Sequence, residues 1–384
     1  MFKLLKNVEC YTPDFLGTQD ILIAVNKIAI ISPDIALNVL PCVRVYECAG
    51  KIACPGLLDQ HLHITGGGGE QGPKSIIEPI SCDRIITAGV TTVVGILGAD
   101  AVGKSMQGLL MKARSLETEG ITTYIYSGNY GVPPVTITGS ILTDITLIDK
   151  SIGAGEIAIS DHRSSYPNRQ ELIKLAHEAI TGGMLGKKAG IVHLHVGNGK
   201  DGLAPLLDLL ESTDFPSDMF VPTHLNRKQA LFEQAMRFHE NGGIIDLTAG
   251  ENTKTGCGVP DCLQRLLESR GGLDRVTVSS DGNGSGAGES GNDTALVMSL
   301  FNDIRTSVIE YDLPIAQVLR TVTENVARVL KLYPSKGKLA VGSDADILLI
   351  DKAVFMPDML FAGGRLMLQG GKPVAEQSLN DLGN

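Results

Sequence analysis

The chain has 384 residues, of which 43% are hydrophobic and 20% charged, so its size allows one large domain or two. Its formal net charge of -10 argues against nucleic acid or an anionic membrane surface as a partner, because both attract basic surfaces. The N-terminus has too short an apolar run for a signal peptide, and no stretch reaches the roughly 18 apolar residues of a membrane span. Seven scattered cysteines indicate reduced thiols, and we expect a cytoplasmic protein.

Residues 1–55 have the pattern of short alternating strands. Residues 56–339 then repeat one pattern, in which a short apolar run is followed by a loop and a helical stretch. Eight such runs start about 25–35 residues apart, which is the length of a βα unit. Eight alternations predict a (β/α)8 TIM barrel with a parallel core. The runs are residues 56–64, 91–97, 122–129, 156–163, 191–197, 219–224, 243–249 and 276–282.

Helical patterns lie between the runs, for example at residues 103–120, 168–183 and 228–243. The last two end in Gly-Gly, which is typical of a helix end. Residues 340–384 return to short strands. We therefore predict an α/β protein with two domains: a barrel of residues 56–339, and a small β-sandwich that residues 1–55 and 340–384 form together.

Histidines concentrate where the predicted strands end, and catalytic residues of such barrels lie at the carboxyl ends of the strands. His61 and His63 share one face of the first strand, because residues i and i+2 do so. His195 and His224 fall at the ends of the fifth and sixth strands, and Asp281 at the end of the eighth. Histidines with a carboxylate suit a borderline metal such as zinc, and a site with an open position can produce hydroxide at neutral pH.

The remaining histidines have structural interpretations. His193 lies two residues before His195, and we expect it inside the barrel, where it can hydrogen-bond a metal ligand. His162 is expected to support the loop that follows the fourth strand. His177 and His239 lie in helical patterns and are expected to be solvated or packed.

The stretches PGLLDQHLHITGGGGEQGP, ISDHRS, PTHLNR and SSDGNGS resemble the motifs of bacterial isoaspartyl dipeptidases, a family of the amidohydrolase superfamily. The similarity extends over nearly the whole chain, including GSDADILLID near the C-terminus. It implies a metal-dependent hydrolase that cleaves the β-aspartyl peptide bond of dipeptides through a metal-bound hydroxide. The implied partner is a small dipeptide substrate, and the implied assembly is a homo-oligomer such as an octamer.

The resemblance assigns the metal ligands residue by residue. His61 and His63 would bind the first, more buried zinc ion together with Asp281. His195 and His224 would bind the second. Asp281 would also take the proton of the attacking water as a general base and pass it to the leaving amine as a general acid.

One position departs from the family pattern. The usual bridging ligand is a carboxylated lysine on the fourth strand, but residues 151–173 contain no lysine, and Glu156 stands at the corresponding place. We hypothesise that Glu156 bridges two zinc ions directly. Because glutamate is shorter than carboxylated lysine, the strand must come closer, and Gly153 and Gly155 would permit a bulge that achieves this. The rival hypothesis is a site that works with one metal ion.

The resemblance also assigns substrate contacts. Tyr130 would donate to the developing oxyanion, and Glu70 would hold the free ammonium group of the substrate. Arg163 and Arg227 would bind its two carboxylates, since a guanidinium group pairs with a carboxylate through two hydrogen bonds. The cradle would be completed by Ser285 and by the backbone of Gly68 and Gly69.

Two alternatives stay open. The first is an amidohydrolase that removes the acyl group of an N-acyl amino acid or opens a cyclic amide, because some deacetylases of the superfamily use glutamate at the position of Glu156. Glu70 discriminates here, since such substrates have no free ammonium group. The second is a non-catalytic scaffold, which would be expected to lack the metal ligands. Ala99, after the second strand, offers no hydroxyl group to a substrate and leaves the details of recognition open.

Overall fold

A computed structural model describes residues 2–36, 42–251, 254–285 and 295–374. The strands are β1 Phe2–Tyr11, β2 Phe15–Ala24, β3 Lys27–Ser32, β4 Val43–Glu47, β5 Lys51–Pro55, β6 Leu57–Leu62, β7 Val90–Gly95, β8 Thr122–Ser127, β9 Ser151–Ile159, β10 Ile191–Val196, β11 Phe220–Thr223, β12 Ile245–Thr248, β13 Val276–Ser279, β14 Ile347–Asp351, β15 Met356–Ala362, β16 Arg365–Gln369 and β17 Lys372–Pro373. The α-helices are α1 Cys82–Thr87, α2 Met106–Glu119, α3 Ile141–Leu147, α4 Arg169–Gly186, α5 Ala204–Glu211, α6 Gln229–Glu240, α7 Val259–Glu268, α8 Met298–Ile309, α9 Ile315–Arg320 and α10 Glu324–Val329.

The two ends of the chain share one sheet. β5 pairs antiparallel with β14, and the strand order is β17-β16-β15-β14-β5-β1-β2-β3, with β4 parallel to β1. Apolar side chains from both ends, among them Leu5, Val8, Leu349 and Phe361, bury one another in a common cluster. The first and last segments therefore share one sheet and one apolar cluster. Residues 37–41 and 375–384 of the predicted sandwich lie outside the described residues.

The middle of the chain supplies parallel strands. β6 to β11 form a six-stranded sheet in chain order, and β12 and β13 form a second parallel pair. Nearly every residue of these strands is buried, which is why they appear in the sequence as continuous apolar runs rather than as alternating patterns. All eight predicted runs coincide with a strand. The prediction was wrong about where β9 begins, since this strand starts at Ser151, well before the predicted run.

Glycine at the helix ends has two different roles. α6 ends at Glu240, just before Gly242 and Gly243, so the predicted stop is confirmed there. α4 instead continues through Gly182 and Gly183 to Gly186, and the predicted stop was wrong. A Cβ atom on Gly183 would lie 2.6 Å from the Cα of Gly190, so this glycine allows close backbone packing. Among the described helices, none combines the length and apolarity that crossing a bilayer requires.

Candidate active site

Six predicted metal ligands converge at the carboxyl ends of the central strands, and all six are buried. Two of them, His224 and Asp281, adopt φ angles of 62° and 49° in the left-handed region. Such a conformation costs a non-glycine residue on the order of 1–3 kcal/mol and persists where the surroundings hold it in place. The six are His61 in β6, His63 after β6, Glu156 in β9, His195 in β10, His224 after β11 and Asp281 after β13.

The two carboxylates lie between the imidazole rings. Oδ1 of Asp281 is 3.2 Å from Nε2 of His61 and 3.2 Å from Nε2 of His63. Oε1 of Glu156 is 2.6 Å from Nδ1 of His195 and 3.2 Å from Nε2 of His224. Three overlapping triads each bring their ligand atoms within 4.8 Å of one another: His61, His63 and Glu156; His61, His224 and Asp281; Glu156, His195 and His224.

The backbone of β9 explains how the short side chain of Glu156 reaches this cluster. Pairing with β10 skips a residue of β9 between Ala154 and Ile157, and pairing with β8 is also irregular near Gly153. The expected bulge is therefore present next to Glu156. A Cβ atom on Gly155 would lie 2.8 Å from the Cβ of His193, so the close approach of β9 to β10 requires glycine at this position.

The charges of the cluster fit a bound cation. Burial disfavours charge on His61, yet Glu156 and Asp281 raise its pKa to about 9. Burial also opposes ionisation of Glu156, but His61 and His195 hold the pKa of this carboxyl well below its usual value. A divalent ion would balance the two carboxylates without protonating an imidazole. Nε2 of His61 and Oε2 of Glu156 are buried and form no hydrogen bond with the described residues, so each can contribute a ligand atom.

A second layer of polar groups orients the imidazoles. Nδ1 of His61 lies 2.7 Å from Nε2 of His193, which is the hydrogen bond that its position below the cluster suggested. Burial and the neighbouring His61 lower the pKa of His193 to about 3, so this ring is neutral. Nδ1 of His224 is 2.7 Å from the hydroxyl group of Thr248 in β12. Such contacts fix which ring nitrogen is available to a metal.

Asp161 is a member of the site that sequence reasoning missed. Its buried carboxylate accepts two hydrogen bonds from the guanidinium group of Arg163, both 3.0 Å long, and its Oδ2 is 3.1 Å from Nε2 of His195. Asp161 therefore connects a predicted metal ligand with a predicted substrate-binding residue. The available signal was its place in the ISDHRS motif. His162 beside it is exposed, and its Nδ1 lies 3.4 Å from Oδ1 of Asp161.

A small cavity lies above the ligand cluster and contains the predicted substrate contacts. Glu70 is 3.3 Å from Arg163 and accepts a hydrogen bond of 2.8 Å from Ser285. Arg227 lies 3.6 Å from Oδ2 of Asp281. The cavity is lined by His63, Gly67, Gly68, Glu70, Leu97, Ala99, Asp100, Tyr130, Arg163, Arg227, Asp281 and Ser285. Gly69 lines an adjoining outer cavity instead.

The glycine-rich loop folds tightly before it reaches Glu70. Gly68 and Gly69 have φ angles of 76° and 95°, and a Cβ atom on Gly68 would lie 2.1 Å from the carbonyl oxygen of Ser75. The amino group of Lys104 donates to the carbonyl oxygens of Gly66 and Gly67. These contacts bring the loop backbone to the cavity wall, where a larger residue would not fit.

Tyr130 lies at the floor of the cavity. Its hydroxyl group is 2.9 Å from Nδ1 of His195, and the guanidinium group of Arg163 lies 5.1 Å from the centre of its ring. Burial and the charge of Glu156 raise the pKa of Tyr130 well above its usual value. The hydroxyl group therefore keeps its proton at neutral pH and is available as a hydrogen-bond donor.

The fold and the buried cluster of histidines and carboxylates define a class of protein. A model of the amidohydrolase family matches residues 263–369. The chain is also 23% identical to the L-hydantoinase of Paenarthrobacter aurescens, over 91% of this chain and 85% of that protein. The fold, this family model over the C-terminal part of the chain and the ligand cluster agree with a metal-dependent hydrolase of the amidohydrolase superfamily.

Two solved structures narrow the class to a family. Both are of β-aspartyl dipeptidase from Fervidobacterium islandicum AW-1, and the second contains the dipeptide β-Asp-Leu. They match this chain with TM-scores of 0.92 and 0.90 and identities of 42% and 41%, over 98% of this chain and 100% of each of those chains. The chain belongs to the β-aspartyl dipeptidase family, which the sequence motifs predicted.

Proposed function

We propose that this protein is a zinc-dependent peptidase that hydrolyses the β-aspartyl bond of dipeptides. The observation that carries the proposal is the junction of two groups in one cavity. Buried histidines and carboxylates lie at its floor, and a carboxylate and two guanidinium groups lie at its wall. The first group suits metal-assisted hydrolysis, and the second suits a small substrate with one ammonium and two carboxylate groups.

His61, His63 and Asp281 would hold one zinc ion, and His195 and His224 a second, with Glu156 between them. Nitrogen and carboxylate ligands favour zinc among the common divalent ions. Bound zinc would polarise the scissile carbonyl group and acidify water at the site. Glu156 as the shared ligand is supported by its contacts, since its two oxygen atoms lie 2.6 to 3.6 Å from nitrogen atoms of three of these histidines.

Asp281 would transfer the proton during the reaction. Burial opposes its ionisation, but His61 and His63 hold its pKa well below the usual value, so the carboxylate is charged at neutral pH. It lines the cavity and can accept a proton from the attacking water. The same group can then deliver this proton to the nitrogen atom of the leaving amine. The protonated Tyr130 would donate to the carbonyl oxygen as negative charge develops there.

Substrate recognition would use charged groups of the cavity, of which Glu70 now contacts both Arg163 and Ser285. Glu70 would bind the free ammonium group, and Arg163 and Arg227 the two carboxylates. Ser285 and the backbone of Gly68 and Gly69 would complete the cradle. The relative of known structure with bound β-Asp-Leu supports a dipeptide of this kind.

The test compares hydrolysis of β-Asp-Leu, α-Asp-Leu and N-acetyl-aspartate by the purified protein, with zinc counted on the same sample. The proposal expects rapid cleavage of β-Asp-Leu alone. Glu70→Gln should remove most of this activity, whereas Glu178→Gln, a change of the same kind away from the cavity, should not. Cleavage of N-acetyl-aspartate without cleavage of β-Asp-Leu would instead favour the deacylase.

Metal counting by atomic emission tests the role of Glu156 separately. Two zinc ions per chain agree with Glu156 as a bridge. One equivalent at full activity would exclude the bridge and favour a single-metal site.

We further propose that β6 to β13 close into one (β/α)8 barrel of residues 56–339, beside a β-sandwich of residues 1–55 and 340–384. Closure is supported by a parallel bridge between Leu62 and Gly282 and by a 3.4 Å backbone hydrogen bond from Leu225 to Asp246. A crystal structure would test whether the barrel closes and where the two domains begin and end.

A homo-oligomer such as an octamer is supported by the exposed Leu147, Met184 and Leu185 on α3 and α4. Light scattering measures the number of chains in the assembly.

A cytoplasmic location is supported by seven free cysteines, and fractionation of the source cells tests it.

A further inference from the structure

One buried carboxylate outside the ligand cluster has an unusually complete set of hydrogen bonds. Asp246, in β12, is fully buried. Its Oδ1 accepts hydrogen bonds from Gln60, at 2.8 Å, and from Thr277, at 2.6 Å. Its Oδ2 accepts hydrogen bonds from Thr223, at 2.7 Å, and from Ser279, at 2.6 Å. All four donors are side chains, and they come from β6, β11 and β13.

These donors lie next to the proposed metal ligands in the chain. Gln60 immediately precedes His61, and Thr223 immediately precedes His224. The serine of β13 that contacts Asp246 lies two residues before Asp281. One carboxylate thus contacts each of the three strands that deliver these ligands.

Asp246 lies where the two parallel sheets meet. β6 and β11 are the two outer strands of the six-stranded sheet, and β12 and β13 form the separate pair. The distance between His61 and His224 therefore depends on how the two sheets meet. Two of the four hydrogen bonds of Asp246, those from Gln60 and Thr223, cross that junction, and the other two hold β13 against β12.

The chemistry of the group also requires a carboxylate. Burial raises the pKa of Asp246, whereas its hydrogen bonds with Ser279, Thr277, Thr223 and Gln60 oppose this rise. A carboxylate can accept all four of these bonds, but an asparagine has one acceptor oxygen and an amide group that would face the donors. A buried charge is costly to maintain, and a group that only fills space would not need one.

We propose that Asp246 is a positioning residue that fixes the relative placement of His61, His224 and Asp281 and thereby increases the affinity for metal. This inference rests on the metal centre of the proposed function. It concerns a residue that touches neither the metal nor the substrate.

The test measures the dissociation constant for zinc by competition with a chromophoric chelator, in wild type and in Asp246→Asn, without substrate. Loss of an outer contact to a metal site typically weakens binding about 10–100-fold, and we expect a loss in this range. Denaturant unfolding of the metal-free proteins is measured in parallel. Asp144→Asn is the matched control, because Asp144 is also fully buried and hydrogen-bonded, but to Ile137 and Thr138 in a loop before α3.

The proposal is overturned if Asp246→Asn lowers metal-free stability but binds zinc as tightly as wild type. If this variant does not fold, Thr223→Val and Ser279→Ala each remove one donor, and each must still weaken zinc binding severalfold. Unchanged zinc affinity in both would also overturn the proposal. Failure of the proposed function is a different result, because a wild-type protein that binds zinc but does not cleave β-Asp-Leu leaves these affinities measurable.

Discussion

Replacement of Asp161 by asparagine should remove the carboxylate that holds Arg163, the arginine that we propose to bind a substrate carboxylate. The carboxylate of Asp161 holds Arg163 through two bonds of 3.0 Å and contacts His195 at 3.1 Å. A hydrogen bond to a charged group contributes about 1.5–3 kcal/mol. Because Arg163 is 27% exposed and asparagine retains one acceptor, we expect the misplaced Arg163 to weaken transition-state binding by about 2 kcal/mol, which is about a 30-fold decrease in kcat/KM.

The assay is steady-state hydrolysis of β-Asp-Leu, and the loss should lie mainly in KM, because Arg163 is expected to bind a substrate carboxylate. Asp208→Asn is the control. Asp208 pairs with Arg169 at 3.6 Å on an exposed surface, where an ion pair is worth about 0–1 kcal/mol. A kcat/KM of Asp161→Asn equal to that of the control would refute the reasoning that Asp161 organises the site.

Three further predictions concern the hydroxyl group of Tyr130, the metal and a remote acid. Tyr130→Phe should lower kcat about 100-fold with little change in KM, since removal of one oxyanion donor has this effect; an unchanged kcat would contradict the assigned role. Removal of metal with a chelator should lower Tm. The difference in Tm between the zinc-loaded and the metal-free protein should widen as the pH rises from 6.5 to 9. In the metal-free protein the pKa of His61 is raised to about 9, so the stability contributed by its proton is lost over this range, and a constant difference in Tm would argue against the cluster as the metal site. Burial raises the pKa of Asp303 to about 6 although the backbone N–H of Gly250 opposes this, so Asp303→Asn should be more stable than wild type by about 3 kcal/mol at pH 8 and lose this advantage below pH 4, as measured by urea unfolding.

The strands and the ligand cluster were predictable because their signals are local. A buried parallel strand is a short apolar run, and a ligand at its end is a histidine or carboxylate directly after that run. The spacing of His61 and His63 is by itself a weak signal, and the histidines and Asp281 at the ends of other strands made it a prediction of metal ligands. The bulge beside Glu156 was also predictable in outline, since Gly153 and Gly155 closely precede a glutamate that is shorter than the usual carboxylated lysine.

Other features depend on contacts that no local pattern records. Asp161 and Asp246 look like ordinary polar residues in or beside strands, but Asp161 also contacts His195, and Asp246 contacts Gln60, far away in the sequence. The glycines inside α4 resemble a helix stop, but the backbone of Gly190 packs against one of them. The ion pair between Glu70 and Arg163 likewise joins two loops that only the fold brings together.

The pairing of β5 with β14 has a consequence for how the protein is made. Nearly three hundred residues separate these neighbours, so on the ribosome β5 is complete long before its partner strand exists. Until then β5 presents an unpaired edge, and such edges invite association with other chains. Contacts between residues so far apart also slow folding. We infer that newly made chains pass through an aggregation-prone stage that ends when β14 has been synthesised and pairs with β5.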